Sequence, residues 1–254
     1  LMIRRPPRST LDRSSAASDV YKRQCRCLLR GLINMSINFE TEDVESTGTL
    51  DSSITQHVSE QVLLSTGIRV GTLVKTKSMS TFISRTRPDG LHIIDVAKTL
   101  QRIELASKFI SNLDSSRVVV YSSREYGKTP VAKFTELTGT IPLTGRFMPG
   151  TFTNPLYPKH LDPEAVIVTD PSMDQQAVIE ATQVGVPVIA ICDTDNLTEN
   201  VDFVIPANNR GRKALAAVMW LLSRSVLQQS GKLSSDESLS YSIEDFETKL
   251  VDDE

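Results

Sequence analysis

The chain has 254 residues, of which 39% are hydrophobic and 23% charged, enough for one good core or two small ones. No apolar run reaches the length of a membrane span, which argues against a membrane protein. Three cysteines are too few for a disulfide framework and favour a reducing, cytosolic setting.

The charge is distributed unevenly along the chain. Residues 1–34 carry eight basic and two acidic side chains, whereas residues 35–65 carry six acidic ones and no Lys or Arg. Residues 66–232 have a net charge of +4, and residues 233–254 have a net charge of −7. The overall net charge of −3 is therefore a poor guide to partners, because the expected folded part is mildly basic.

These shifts in composition predict four segments. Residues 1–34 lack periodicity and resemble a translated sequencing-library adapter, so we interpret them as a non-native leader in which Cys25 and Cys27 have no role. Residues 35–58 are acidic and polar, which predicts a disordered N-terminal segment. Residues 59–232 are expected to form one α/β domain, and residues 233–254 an acidic mobile tail with at most a short helix near residues 245–250.

The first half of the domain begins with turns and short apolar runs. A turn at residues 88–90 precedes an apolar run at 91–94, and Asp95 is placed to cap a helix over 96–112. A buried strand is predicted at 117–121. A helix marked by Val131, Phe134 and Leu137 should end at Gly139. Residues 141–159 contain several Pro and Gly and are expected to form an ordered, irregular loop.

The clearest pattern is a βαβ unit. Unbroken apolar runs at 165–169 and 186–192 predict buried parallel strands, and Ala177, Val178, Ala181 and Val184 predict a helix between them that ends before Gly185. A further short strand is expected at 203–205, and residues 208–213 open a long helix with one apolar stripe. Loops at the carboxyl ends of such strands usually hold ligands.

One segment raises the alternative of a phosphate- or nucleotide-binding enzyme. Residues 122–129 (SSREYGKT) resemble a phosphate-binding loop with Lys128, and Asp193 would follow a later strand as a magnesium ligand. However, Ser122 replaces the first glycine of that motif, and Pro130 removes an amide donor. The simpler interpretation is a helix start.

Acidic residues and histidines give weak signals for catalysis or metal binding. Asp170, Asp174, Asp193 and Asp195 could form a metal site or an acid/base pair, but capping of loop amides is favoured. The three histidines, His57, His92 and His160, are far apart in the sequence, and no nucleophile-elbow motif is present. We therefore expect no catalytic residues, no bound metal and no cofactor.

The basic residues share a pattern, because they cluster in segments between strands and helices. Cations at a helix N-terminus oppose the helix dipole unless an anion lies there, and a nucleic-acid phosphate would supply one. We therefore predict RNA contact. The predicted RNA-binding residues are Lys75, Lys77, Arg85, Arg87, Arg124, Lys128, Arg146, Arg210, Arg212 and Lys213.

Six motifs within residues 59–232 together resemble the small-subunit ribosomal protein S-two family, in its archaeal and eukaryotic branch. Individually they are short, but they occur in the family's order. They are 75–79 (KTKSM), 87–95 (RPDGLHIID), 145–155 (GRFMPGTFTNP), 168–171 (VTDP), 191–196 (ICDTDN) and 205–213 (IPANNRGRK).

The resemblance implies a three-layer α/β/α sandwich with a mainly parallel, flavodoxin-like sheet and no catalytic activity. It also implies a structural constituent of the small ribosomal subunit, in the cytoplasm, that binds small-subunit ribosomal RNA and neighbouring ribosomal proteins in translation. No membrane and no small-molecule substrate are expected as partners. The segment 145–155 is a signature of the family and is expected to contact RNA or a protein neighbour. The helical hairpin inserted in bacterial members is missing, so no function tied to it carries over.

Overall fold

The computed structural model describes residues 65–233 and 241–249. The expected leader 1–34, the acidic segment 35–58, and Cys25, Cys27 and His57 lie outside the described residues. Within the described part, no helix is long and apolar enough to span a bilayer.

Five parallel strands form the main sheet. They are β3 (Val118–Ser122), β4 (Ile141–Thr144), β5 (Ala165–Val168), β6 (Val188–Cys192) and β7 (Phe203–Pro206), in the spatial order β4-β3-β5-β6-β7. Counting only these strands, the order is 2-1-3-4-5, which is the flavodoxin-like arrangement. The predicted α/β/α sandwich with a parallel sheet is therefore confirmed.

Helices and one irregular segment cover the two faces of the sheet. Helices α1 (Val96–Ser111), α2 (Glu125–Thr138) and α4 (Arg212–Gln229) pack together on one face. Helix α3 (Gln175–Val184) and residues 145–161 cover the other face. Successive strand residues alternate between the two cores: Val118 and Val120 face α4, while Val119 and Tyr121 face the α3 side.

A β-hairpin precedes α1. Strands β1 (Ile83–Thr86) and β2 (His92–Ile94) pair in antiparallel fashion, and the turn between them contains Gly90 with φ of +84°. On the other side of β2, residues 70–72 lie alongside: the Gly71 amide donates to the His92 carbonyl at 2.9 Å, and the His92 amide donates to the Thr72 carbonyl at 3.1 Å. Asp95 caps α1 as predicted, accepting from the Ala97 amide at 3.1 Å.

The structure differs from the sequence-based expectation in two elements of the sandwich. Residues 141–144 form strand β4 rather than part of an irregular loop, because they pair in parallel with β3 at the edge of the sheet, where Pro142 is tolerated. Helix α4 is buried on all sides from Ala214 to Leu227, not along one stripe, since α1, α2 and the C-terminal residues surround it.

Residues 241–249, which we call the C-terminal strap, pack onto the helical face. Helix α5 (Ile243–Phe246) places Phe246 fully in the core, and the Trp220 indole N–H donates to the Tyr241 carbonyl at 2.9 Å. The Tyr241 hydroxyl lies 3.1 Å from a carboxylate oxygen of Glu136. Residues 241–249 are therefore attached to the domain, because an aromatic side chain of this strap is buried against α2 and α4.

Candidate nucleic-acid interface

Most of the predicted RNA-binding residues lie at the carboxyl edge of the main sheet. Because parallel strands all end at the same edge, the loops after them share that surface. Arg124 follows β3 and Arg146 follows β4. The Arg210 to Lys213 cluster follows β7 and opens α4. The topology thus places cations from three separate connections along one edge.

The segment that carries Lys75 and Lys77 is held at the same edge by hydrogen bonds of Thr76. The Thr76 amide donates to the Thr194 carbonyl at 2.9 Å, and the Thr76 hydroxyl donates to the Asn196 carbonyl at 3.1 Å. Residues 193–196 form the loop after β6, so the segment with both lysines crosses the carboxyl end of that strand. A side chain at Gly71 would lie 2.5 Å from Thr194, which explains the glycine at this close approach.

The hairpin presents Arg85 and Arg87 beside this segment. Arg85 lies in β1 and is solvent-exposed, and Arg87 begins the turn, with its carbonyl accepting from the Gly90 amide at 2.9 Å. A Leu73 methyl group lies 3.3 Å from where a Gly90 Cβ would stand, so the hairpin tip adjoins the start of the lysine segment. Arg85 and Arg87 thereby extend the basic edge beyond the sheet.

Four of the ten predicted cations are engaged by the protein itself. Arg124 pairs with Asp170, Arg210 with Asp195, and Lys128 with Glu125 at 2.7 Å. The Arg212 guanidinium lies 5.9 Å from the centre of the Tyr126 ring. The other six form no ion pair with any residue in the ranges 65–233 and 241–249. We call them the open cations: Lys75, Lys77, Arg85, Arg87, Arg146 and Lys213.

The crevice where a flavodoxin-like fold usually binds its ligand is closed by internal hydrogen bonds. It lies between β3 and β5, where the strand order reverses. Arg124 Nε donates to the buried Asp170 carboxylate at 2.9 Å, and the Asn196 amide nitrogen donates to the other oxygen at 2.9 Å. Asp174 accepts from the Ser123 amide at 3.1 Å, and the Thr169 hydroxyl donates to Ser122 at 2.8 Å. These contacts engage the two carboxylates and the arginine that would otherwise be available to a ligand.

Burial changes the acidity of two carboxyl groups in this edge. Desolvation raises the pKa of Asp174 to about 6, although bonds from Ser123 favour its charged form. Desolvation likewise raises the pKa of Asp193 to about 6, against the Thr194 amide that donates to it at 2.6 Å. Together with the Ser172 amide that donates to Asp170 at 3.0 Å, these contacts show that three of the four acids accept from loop amides, as predicted for capping, whereas Asp195 pairs with Arg210.

The segment resembling a phosphate-binding loop is a helix start. Helix α2 begins at Glu125, so Gly127 and Lys128 lie in its first turn and not in a loop. A Cβ at Gly127 would stand 2.0 Å from the Ser122 hydroxyl oxygen. The glycine is therefore needed for helix packing on β3, and Lys128 pairs with Glu125.

The signature segment 145–155 is held rigidly against α3. Phe147 stacks edge-on between Tyr121 and Phe152, with ring centres 5.3 and 5.2 Å apart. The buried carboxylate of Glu180 accepts from the Gly150 amide at 2.7 Å and the Phe152 amide at 3.2 Å. The sequence analysis missed Glu180; its signal was an acidic residue on the apolar face of a predicted helix.

The two remaining predicted histidines have packing roles. His92 Nδ1 lies 2.9 Å from the Thr86 hydroxyl, and His160 Nδ1 lies 3.1 Å from the Thr151 carbonyl oxygen. Cys192 is buried, and its pKa is raised by desolvation. His92 thus links the two strands of the hairpin, and His160 contacts the backbone of the segment that follows β4.

The fold and the site define a class: a flavodoxin-like α/β protein with a closed ligand crevice and a cationic rim. Comparison with known proteins agrees. The family model of ribosomal protein S2 matches residues 63–159 and 156–229. The chain is 51% identical to the small ribosomal subunit protein uS2 of Nitrosopumilus maritimus over 192 aligned residues. The alignment covers 76% of this chain and 93% of the relative.

Two further relatives show the same similarity. The chain is 49% identical to the small ribosomal subunit protein uS2 of Thermofilum pendens, over 75% of this chain and 89% of the relative. It is 48% identical to the protein of that name from Ignicoccus hospitalis, over 75% of this chain and 91% of the relative. The chain belongs to the ribosomal protein S2 family, and the enzyme alternative is not supported.

Proposed function

We propose that this protein is a structural constituent of the small ribosomal subunit that binds small-subunit ribosomal RNA through the open cations. Family membership supports the ribosomal role and argues against catalysis. On this proposal the protein acts in translation, on cytoplasmic ribosomes, with RNA and neighbouring ribosomal proteins as partners.

The observation that carries the RNA contact is the distinction between engaged and open cations. An arginine such as Arg124, already bonded to a buried carboxylate, would have to break that pair to reach a phosphate. Lys75, Lys77, Arg85 and Arg87 are exposed, and each is free to bind phosphate without that cost. Within the predicted set, the open cations therefore make the RNA contacts, and Arg124, Lys128 and Arg210 stabilise the loops.

On this proposal the protein recognises the phosphate backbone and the shape of the RNA. An RNA duplex has a deep, narrow major groove that side chains cannot enter, so dispersed Lys and Arg contact phosphates. The rigid hydrogen bonds of Thr76 with Thr194 and Asn196 hold Lys75 and Lys77 in position before binding. Less conformational entropy is lost when such a pre-arranged segment meets RNA.

A charge-matched pair of variants tests the proposal. Lys75→Ala with Lys77→Ala removes two cations from the carboxyl edge, whereas Lys108→Ala with Lys232→Ala removes two near the C-terminal ends of α1 and α4. Both lose the same charge. Each variant is mixed with small subunits stripped of their S2-family protein and sedimented through a gradient at several salt concentrations.

The proposal expects the first variant to bind more weakly and with a flatter salt dependence. Each lost phosphate contact lowers the slope of log affinity against log salt by about 0.7–0.9, so two contacts lower it by roughly 1.5. The second variant should match the parent. Equal slopes for both variants would overturn the RNA role of the lysine segment, and a parent chain that does not sediment with subunits would overturn the ribosomal role.

A further inference from the structure

Next to α3, the carboxyl edge of the sheet is formed by a part of the chain that has no basic side chain of its own. From His160 to Asn209 the sequence has nine acidic residues and no Lys or Arg. Asp170 and Asp195 are neutralised by arginines from outside this stretch, and Glu180 is buried. Exposed Glu199 stays without an ion pair to any residue of the described ranges. Residues 160–209 therefore offer a phosphate backbone no cation, and the exposed Glu199 would repel it.

The outer surface of α3 is uncharged and partly apolar. Its exposed side chains are Gln175, Gln176 and Gln183, and Ile179 is half-buried between them. Next to the start of the helix, Met173 and Leu197 are each 62% exposed. Depletion of charge around exposed aliphatic side chains is typical of the centre of a protein–protein interface and not of an RNA-binding surface.

A groove runs between these side chains. It measures about 260 Å³ and is lined by Pro171, Ser172, Gln175, Val178, Ile179, Leu197, Glu199 and Asn200. Pockets that enclose small molecules usually measure roughly 300–1,000 Å³, so this groove suits an inserted side chain better than a whole ligand. Glu199 lies at its border and would attract a cation next to that side chain.

We propose that this α3 groove docks a basic segment of a neighbouring protein. The segment inserts an aliphatic side chain between Ile179 and Leu197 and places a Lys or Arg against Glu199. The inference rests on the proposed ribosomal role for the kind of partner, because a protein lying among RNA phosphates carries cationic segments. Charge complementarity identifies the occupant: the groove offers an acid and apolar surface, which suit a basic peptide and repel RNA.

The direct test places a photo-reactive amino acid at position 197 and assembles the chain into small subunits stripped of their S2-family protein. Leu197 is exposed, so the replacement does not disturb the core. After irradiation, mass spectrometry should identify a crosslinked protein peptide that has a Lys or Arg close to an aliphatic residue. The same group at position 87 should crosslink to RNA. If position 197 crosslinks to RNA or to nothing in subunits that contain the chain, the docking site is overturned and the proposed function stands.

Substitution gives a second, independent readout. Leu197→Glu should weaken binding to the stripped subunits roughly tenfold, as expected for an interface anchor, while binding to deproteinised small-subunit RNA stays the same. Gln101→Glu adds the same charge on α1, on the opposite face, and should match the parent in both assays. Unchanged subunit binding by Leu197→Glu would overturn the docking site. Loss of RNA binding by this variant would show the surface to be an RNA contact and would overturn it too.

Discussion

Phe246 attaches the C-terminal strap to the domain, and its removal is a sharp test of the structure. The ring is fully buried in the core against α2 and α4. Helix α5 has only four residues and cannot be stable alone. We expect Phe246→Ala to lower the free energy of unfolding by roughly 3–5 kcal/mol, the usual cost of emptying a buried phenylalanine site. Because a typical domain has about 5–15 kcal/mol in total, the loss is large.

The only tryptophan in the chain provides the signal for this experiment. Trp220 is 9% exposed, and its indole N–H donates to the carbonyl of Tyr241 within the strap. If Phe246→Ala releases the strap, the indole loses this bond and meets water, so its emission shifts to longer wavelength before global unfolding. Urea titrations followed by fluorescence and by circular dichroism measure both effects. Glu244→Ala, an exposed change in the same helix, is the control.

The reasoning would be refuted by a Phe246→Ala variant that keeps the parent emission and unfolds within about 1 kcal/mol of the parent. Such a result would mean that Phe246 does not attach the strap to the domain. The heat-unfolding midpoint gives a further check: a domain of this size loses about 2–4 °C for each kcal/mol, so a decrease of roughly 6–20 °C is expected.

Three further predictions follow from the site. Gly127→Ala should lower the free energy of unfolding in urea by roughly 1–3 kcal/mol, because the new methyl group overlaps the Ser122 hydroxyl. The control Thr129→Ala, on the same turn, should lower it less. Equal losses of unfolding free energy in the two variants would contradict the packing argument. Burial raises the pKa of Asp174 from 3.8 to about 6, so its contribution to stability is present below pH 4 and decreases as the pH rises to 6. The free energy of unfolding of Asp174→Asn should therefore rise relative to that of the parent by up to about 3 kcal/mol between pH 4 and pH 7. A difference in unfolding free energy that does not change with pH would argue against this prediction. Glu180→Ala leaves the amides of residues 150 and 152 without their acceptor, and we expect a loss of about 1–3 kcal/mol with faster proteolysis in 145–155; unchanged cleavage would show that Glu180 does not hold this segment.

Short-range patterns were sufficient for the central βαβ unit. The apolar runs predicted at 165–169 and 186–192 correspond to Ala165–Val168 and Val188–Cys192, and the helix between them ends before Gly185, whose φ is +83°. These features depend on consecutive residues, because burial on both faces of a strand and a left-handed helix end leave direct marks in the sequence. The family motifs added the topology.

Strand β4 and the C-terminal strap were beyond such patterns. Residues 141–144 are only four in number and contain a proline, so their sequence does not distinguish them from a loop. They form a strand because they pair with β3. Residues 241–249 have an acidic, serine-rich neighbourhood in the sequence, yet Phe246 finds a core formed by helices far away along the chain.

The state of the cations shows most clearly what the amino-acid order could determine and what required three dimensions. Clustering in loops selected ten basic residues as candidates for RNA contact, because charge and turn chemistry are local properties. Whether a cation is open depends on partners that are distant in the sequence. Arg124 pairs with Asp170, which lies 46 residues away, and Arg210 pairs with Asp195 because the loops after β6 and β7 lie at the same edge of the sheet. Burial and ion pairing arise from contacts between remote segments, so the fold alone decides which charges stay available for a partner.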